Sequence, residues 1–339
     1  MLGLLRSPGT AIQLGTNSTR IYVAGARSIF EEPTLIAFNE ATGRLDAVGR
    51  DAKDLFSHNP GSAGFVNPLR EGFVSDQNLA AKMLRQFLMK AYGRKYRPLS
   101  RAIVALPEEH TQLNKYALYQ VMRAAKATEV RFVNKYIAAA AGIGLPLDEP
   151  AMLVHFGGGG AAEITVMHMG HTVYSQSVRT GGNVMDKAIV NYVKRCHNLV
   201  IGERTAEQIK ITLGSAYPLD RPCFMEVTGR TLIEGIPKTI YVDDFGIREA
   251  LSESISKLML AVRFVLEHTP PELSADISDR GIVLTGGSAL LKNLDKRIRE
   301  ETGLPVYIAD NPSSSIIRGL AHIMSSKRIM NRFSDIYRS

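Results

Sequence analysis

The chain has 339 residues, 45% of them hydrophobic, and a net charge of +8. No run approaches the roughly 18 apolar residues needed to cross a bilayer, and the two cysteines, Cys196 and Cys223, exclude a disulfide framework. A reducing cytoplasm is the expected setting, without a secretory leader, because "MLGLLRSPG" is broken by Pro8 and Gly9 before an apolar core can form. Apart from "YGRKYR" (92–97) and "SSKRIMNRF" (325–333), the basic residues are scattered. They read as solvated surface with some bias toward acidic lipid, and no nucleic-acid footprint is expected.

In chain order, "AIQLGTNSTRIYVAG" (11–25) reads as a strand, a turn of small residues and a second strand. Residues 75–93 follow with helical spacing, a cap at Ser75 or Asp76, a stop at Gly93, and an apolar face of Leu79, Met83, Leu84, Phe87 and Leu88. A buried strand is expected at 101–107, a helix at 110–127, and a short strand at 130–136 leading into the Ala-rich helix "IAAAAGIG". The second hairpin, "AMLVHFGGGGAAEITVMHMG" (151–170), repeats the design of the first, with His155 standing where Gln13 stands. Helices at "GGNVMDKAIVNYVKRCHN" and 205–214 come next, then β structure over 223–244 and a long helix through "IREALSESISKLMLAVRFVLEHTP". The strand "GIVLTGG" (281–287) is expected to run directly into a helix over "SALLKNLDKRIREETG". Alternating strands and helices give an α/β class, and the duplicated hairpins predict two related mixed-sheet halves.

Gly157 to Gly160 carry the first chemical hint. Glycine lets backbone N–H groups approach a ligand closely, and such turns after buried strands hold phosphate. Other suggestive residues read as structural. His168 and His171 sit on a β pattern without further metal ligands, and Cys196 beside His197 reads as helix surface and core.

Longer blocks then carry a resemblance along nearly the whole chain. "EEPTLIAF", "NPLREGFVSD", "RAIVALP", "AAAAGIGLP", "IGERTAEQIKITLGSAYP", "GRTLIEGIPKTI" and "DRGIVLTGGSALLKNLD" resemble the bacterial actin MreB family of cell-shape filament proteins. The resemblance implies a bilobed actin-like fold, shared with the hsp70 and sugar-kinase proteins, around a nucleotide cleft. The first lobe would occupy 1–145, with a small subdomain at about 33–65. The second would occupy 146–312, with a small subdomain at about 183–242, and residues 313–339 would pack back on the first lobe.

For the site, the resemblance implies that Gly15, Thr16, Asn17 and Ser18 meet the β- and γ-phosphates, with Gly157, Gly158, Gly159 and Gly160 closing from the other side. Gly286, Gly287, Ser288 and Ala289 would approach the nucleoside and α-phosphate, as helix N-termini do for anions. Glu207, Gln208, Ile209 and Lys210 would serve the ribose and base. The catalytic positions depart from the family pattern. Gln13 replaces the acid of a "DLGTANT"-like hairpin, and His155 replaces the Asp of "DIGGGTTE". Ala161 and Ala162 replace its threonines, and Asn134-Lys135-Tyr136 stands where the family has Glu-Glu-Pro. Mg²⁺ is held through carboxylates and phosphate oxygens, and phosphoryl transfer depends on positioning and charge stabilisation. ATP or ADP binding is therefore expected without a bound Mg²⁺, with weak or absent hydrolysis and no catalytic residue among Gln13, Lys135 and His155.

As partners, the resemblance implies other copies of the chain in head-to-tail filaments, a paralogue, and inner-membrane shape and wall-synthesis proteins. Leu2, Leu4 and Leu5 would make weak peripheral contact with the inner face of the cytoplasmic membrane. Two other readings stay open: a working Mg-ATPase of the same fold, and a non-polymerising regulator that binds a paralogue.

Overall fold

A computed structural model describes residues 9–39, 42, 44–58, 64–93, 99 and 101–337. Leu2, Leu4 and Leu5, and most of "YGRKYR", lie outside the described residues. The chain divides into two units, one formed by the residues up to Leu147 with those from Ser314 onward, the other by Asp148–Ser313.

The first unit is built on a six-stranded sheet in the order Asp335–Ile336, Glu129–Asn134, Arg101–Leu106, Thr10–Leu14, Ser18–Val23, Phe30–Pro33. Thr10–Leu14 is buried along its whole length, as a central strand covered on both faces must be, whereas Ser18–Val23 begins with alternating burial. The first two strands are antiparallel, placing Gln13 opposite Arg20, and Thr10–Leu14 runs parallel to Arg101–Leu106. Helix Gln77–Tyr92 packs Met83, Leu84, Phe87 and Leu88 into the core beside Ile12, Val104 and Phe132. Burying a side chain such as Phe87 fully contributes about 1.5–3 kcal/mol. The helix starts where the sequence predicts, with Asp76 Oδ1 accepting the Leu79 N–H at 2.9 Å, and it stops at Gly93. Helix Gln112–Ala124 opens with a reciprocal capping box between Thr111 and Asn114.

The Ala-rich helix Lys135–Gly142 crosses helix Ser315–Ser325 so closely that the glycines are obligatory. A Cβ on Gly142 would collide with the Ser315 carbonyl, and one on Gly319 with the Ala138 carbonyl. A smaller three-stranded sheet joins Leu45–Val48, Ile36–Phe38 and Gly64–Val66.

The second unit repeats the plan. Its five-stranded sheet runs His171–Val178, Ala162–His168, Ala151–Phe156, Ile282–Thr285, Val306–Ile308, with the first three strands antiparallel and the last three parallel. The same sequence of pairings, an antiparallel meander followed by parallel crossovers, occurs in the first unit. The two related mixed-sheet halves expected from the hairpins are therefore real at the level of topology. Helix Asp244–Glu267 lays Leu258, Val262 and Val265 into a core with Val154, Phe156, Ile164 and Val166. Strands Phe224–Thr231 and Pro237–Asp243 form a hairpin paired to Leu199–Val200, which makes a second three-stranded sheet. His168 and His171 face each other across a tight turn at Met169 and Gly170, both with positive φ.

One local expectation fails. The segment after Ile282–Thr285 is not a continuous helix: Gly287–Leu290 forms a single 3₁₀ turn, and the α-helix begins only at Leu294–Thr302. Asn293, in the left-handed region at φ 58°, separates the two. Ser288 and Ala289 are drawn inward and buried, which a straight helix from Gly287 would not combine with this break.

Candidate functional site

In the second unit the strand Ala151–Phe156 delivers His155 to the edge of the glycine turn. The imidazole is buried, with Nδ1 hydrogen-bonded to Thr285 Oγ1 at 3.0 Å on the parallel neighbour. Across the hairpin its register partner is Glu163. The turn itself is pinned from two sides. Ser288 Oγ donates to the Gly157 carbonyl at 3.0 Å, and the N–H groups of Gly182 and Asn183 donate to the carbonyls of Gly157 and Gly158 at 3.2 and 2.8 Å. Gly158 is thereby tied to the first turn of helix Gly182–His197, while Gly159 and Gly160 complete the half-buried loop. At Gly286 φ is +88°, and a Cβ there would strike the Phe156 carbonyl, so only glycine admits the approach of the two loops. An anion seated on 157–160 would meet backbone amides, since glycine offers nothing else.

On the helix Glu203–Leu213, Glu207 is half-buried, Gln208 exposed and Ile209 fully buried in the core. Lys210 turns inward: its ammonium lies 2.8 Å from Asp186 Oδ1 and donates to the Gly182 carbonyl at 3.2 Å. Burial pushes the Asp186 carboxyl above its ordinary value, and the adjacent Lys210 only partly offsets this. Asp186 had no signature in the sequence, because nothing in the linear pattern marks a helix-interior acid as the partner of a lysine on another helix.

In the first unit the turn after Thr10–Leu14 is equally well braced. Thr34 Oγ1 donates to the Gly15 carbonyl at 2.7 Å, the Thr34 N–H donates to the Asn17 carbonyl at 3.0 Å, and the Gly72 N–H donates to Thr16 Oγ1 at 2.8 Å. Asn67 also holds the Thr16 carbonyl. Ser18 accepts the Gly15 N–H at 3.1 Å through its backbone, closing the hairpin. Thr34 and Asn67 were invisible in the sequence because they brace the turn from outside its own hairpin. Gln13 is buried, and its Oε1 has no hydrogen-bond partner among the described residues. Lys135 begins the Ala-rich helix and is half-buried, beside an Asn134 whose amide donates to the Tyr136 hydroxyl.

These donor sets can be tested against the groups an actin-like fold implies. The glycine turn suits a phosphate, through its backbone amides. Neither turn fits a hard divalent cation, which prefers carboxylate: in the first unit Gln13 supplies a neutral amide, and in the second His155 has Nδ1 engaged with Thr285.

The paired meander-and-crossover sheets, each with a braced small-residue turn after its central strand, define an actin-like protein. Comparison with known proteins gives the family. The model of the MreB/Mbl protein family matches residues 7–332. The cell shape-determining protein MreB of Escherichia coli K12 is 41% identical over 316 residues, covering 91% of each chain. Mbl of Bacillus subtilis, also a cell shape-determining protein, is 36% identical over 310 residues, covering 91% of this chain and 93% of Mbl. Among solved structures, MreB5 of Spiroplasma citri bound to ADP superposes with a TM-score of 0.90 at 30% identity, covering 97% of this chain and 98% of MreB5. The chain belongs to the MreB/Mbl family, and it is an actin-like cytoskeletal protein of the cell-shape class.

Proposed function

We propose that this chain binds adenine nucleotide without productive hydrolysis and acts as a structural subunit, assembling with other copies into filaments that help position cell-wall synthesis. The observation that carries the reading is the contrast at the two hairpins. The glycine turn is pinned by Ser288 and by the helix beginning at Gly182, while the positions that would manage a metal hold Gln13 and a His155 bonded to Thr285. Support for the nucleotide comes from Spiroplasma citri MreB5, whose structures are bound to ADP and to AMPPNP.

Nucleotide would be gripped by Gly15 to Ser18, by Gly157 to Gly160, by the stretch Glu207, Gln208, Ile209 and Lys210, and by the 286–289 turn. Lys135, half-buried at the start of the Ala-rich helix, would neutralise phosphate charge. No described helix is long and apolar enough to cross a membrane. Membrane contact would be peripheral, through Leu2, Leu4 and Leu5, with many weak attachments adding along a filament.

The test is calorimetry of ATP and ADP with the purified chain, first with Mg²⁺ and then with excess EDTA, beside phosphate-release and pelleting assays. Binding that ignores the metal, with pelleting and without phosphate release, is the expected outcome. Tight binding strictly dependent on Mg²⁺, accompanied by turnover, would establish the working ATPase instead.

A further inference from the structure

One edge of the first unit's large sheet is closed by very little. Strand Glu129–Asn134 is buried from Val130 to Val133, yet among the described residues only Asp335–Ile336 lies beyond it. The ladder has two register pairs, Arg131 with Ile336 and Phe132 with Asp335. The Tyr337 N–H extends it by donating to the Val130 carbonyl at 3.1 Å. The side chains contribute unevenly. Tyr337 sets its ring 4.6 Å from that of Tyr119 and 5.8 Å, edge-on, from that of Phe132. Asp335 lies 3.8 Å from the Lys115 ammonium, but it is 85% exposed, and such a pair contributes little. The hold is one aromatic anchor on a short ladder.

The element that carries this strand is lightly held as well. Helix Lys327–Phe333 has seven residues, of which only Met330 is fully buried. Ser326, extended at φ −115° and ψ 112°, separates it from helix Ser315–Ser325. Arg131 reaches the segment only at 3.3 Å, to Asn331 Oδ1 and to Ser334 Oγ, beyond the usual hydrogen-bond range. Segments with few buried apolar contacts open at free energies well below that of global unfolding. Opening at Ser326 strips Glu129–Asn134 of its partner on this side, and an unpaired edge recruits another strand. The recess it leaves has a definite chemistry: edge backbone groups, the rings of Tyr119 and Phe132, and the Lys115 ammonium 5.5 Å from the Phe132 ring. It selects an extended peptide with an acid, an apolar residue and an aromatic in succession, bound by strand addition.

We propose that this edge is a peptide-binding site filled within the chain by Asp335–Tyr337, and that its other ligand is the same segment of a second copy, so that neighbouring copies exchange strands. The exchanged contacts are identical to those within one chain, so exchange costs little beyond the opening itself. Assembly places the second copy at high effective concentration. The site is independent of nucleotide, and its use between copies rests on the self-assembly proposed above.

The experiment has two arms. In the first, a fluorescein-labelled peptide of residues 333–339, FSDIYRS, is titrated by anisotropy against the chain shortened to end at Phe333. Full-length Tyr337→Ala, which keeps its strand and loses the anchor, serves if the shortened chain does not fold. Each should bind the peptide roughly tenfold more tightly than wild type, whose site is filled, and Tyr337→Ala in the peptide should cost roughly tenfold. In the second arm, both native cysteines are replaced by serine. A tagged Asp335→Cys copy and an untagged Lys115→Cys copy are mixed, allowed to assemble, and treated with a short bismaleimide. A cross-link joining tagged to untagged copies is the expected result. If that cross-link forms without pelleting, strand exchange stands and the filament reading fails instead. No peptide binding by either folded variant would overturn the site. Copies that pellet together without cross-linking, while a single chain carrying both cysteines cross-links to itself, would overturn the exchange.

Discussion

His155 and Thr285 stand side by side on neighbouring parallel strands, with the imidazole Nδ1 3.0 Å from a threonine hydroxyl that is wholly buried. This contact anchors the residue that opens the glycine turn to the strand that carries the 286–289 turn. Thr285→Val keeps the shape but removes the hydroxyl. It should cost about 1–3 kcal/mol, because a buried ring nitrogen loses its partner. Urea unfolding checks this, and an unchanged midpoint would show that the hydroxyl contributes nothing to holding the imidazole.

The site's preference for metal is open to reversal. Gln13→Asp combined with His155→Asp restores the carboxylates that a hard cation prefers. The double variant should bind ATP more tightly with Mg²⁺ than with EDTA, whereas the wild type is expected to bind equally in both. Calorimetry in the two conditions decides it. A wild type already dependent on Mg²⁺ would contradict the reading of the site.

The helix crossing at Gly142 and Gly319 should tolerate no side chain. In each case the added Cβ would meet a backbone carbonyl, which cannot rotate away as a flexible side chain can. Gly319→Ala should therefore destabilise by about 3 kcal/mol, at the upper end for overpacking. Melting curves of the purified variant test this, and a wild-type midpoint would mean that the helices separate at little cost.

Asp76→Ala removes the acceptor for the Leu79 N–H at the start of helix Gln77–Tyr92. The expected loss is about 1 kcal/mol by urea unfolding, with Asp76→Ser restoring most of it. Equal losses in both variants would assign the effect to charge rather than to capping.

Asp186 makes a signed contribution to the pH dependence of stability. Its folded value is raised above the ordinary 3.8, chiefly by burial, so in the window between the two the native state holds a proton that the unfolded chain has released. Stability from this group is fully present below 3.8 and is lost as pH rises through the raised value. Unfolding measured upward from about pH 4 should therefore show a falling component in wild type. That component should be absent in Asp186→Asn, even though the variant is less stable overall for having orphaned Lys210. A component of the opposite sign would mean that Lys210 outweighs burial.

Much of this protein was determined by local sequence. Helical spacing over 75–93 with its cap at Asp76, and glycine turns after buried strands, act over a few residues, so hairpins and helices are legible one at a time. The duplication was legible too, since two hairpins of one design require two related sheets. The family blocks extended this to the fold class and the MreB/Mbl assignment.

Tertiary structure decided what those pieces touch. The break at Asn293 accompanies the burial of Ser288 and Ala289, which no propensity in "SALLKNLD" announces. Thr34 and Asn67 brace the first turn from distant segments, and Thr285 takes up the imidazole of a residue 130 positions earlier. The sequence places Glu207 and Lys210 one helical turn apart. Only the packed structure turns the lysine inward, where its ammonium meets the Asp186 carboxylate on a neighbouring helix. Hydrogen bonds and ion pairs form wherever folding brings partners within about 3 Å, and that proximity is a property of three dimensions that the order of residues does not display.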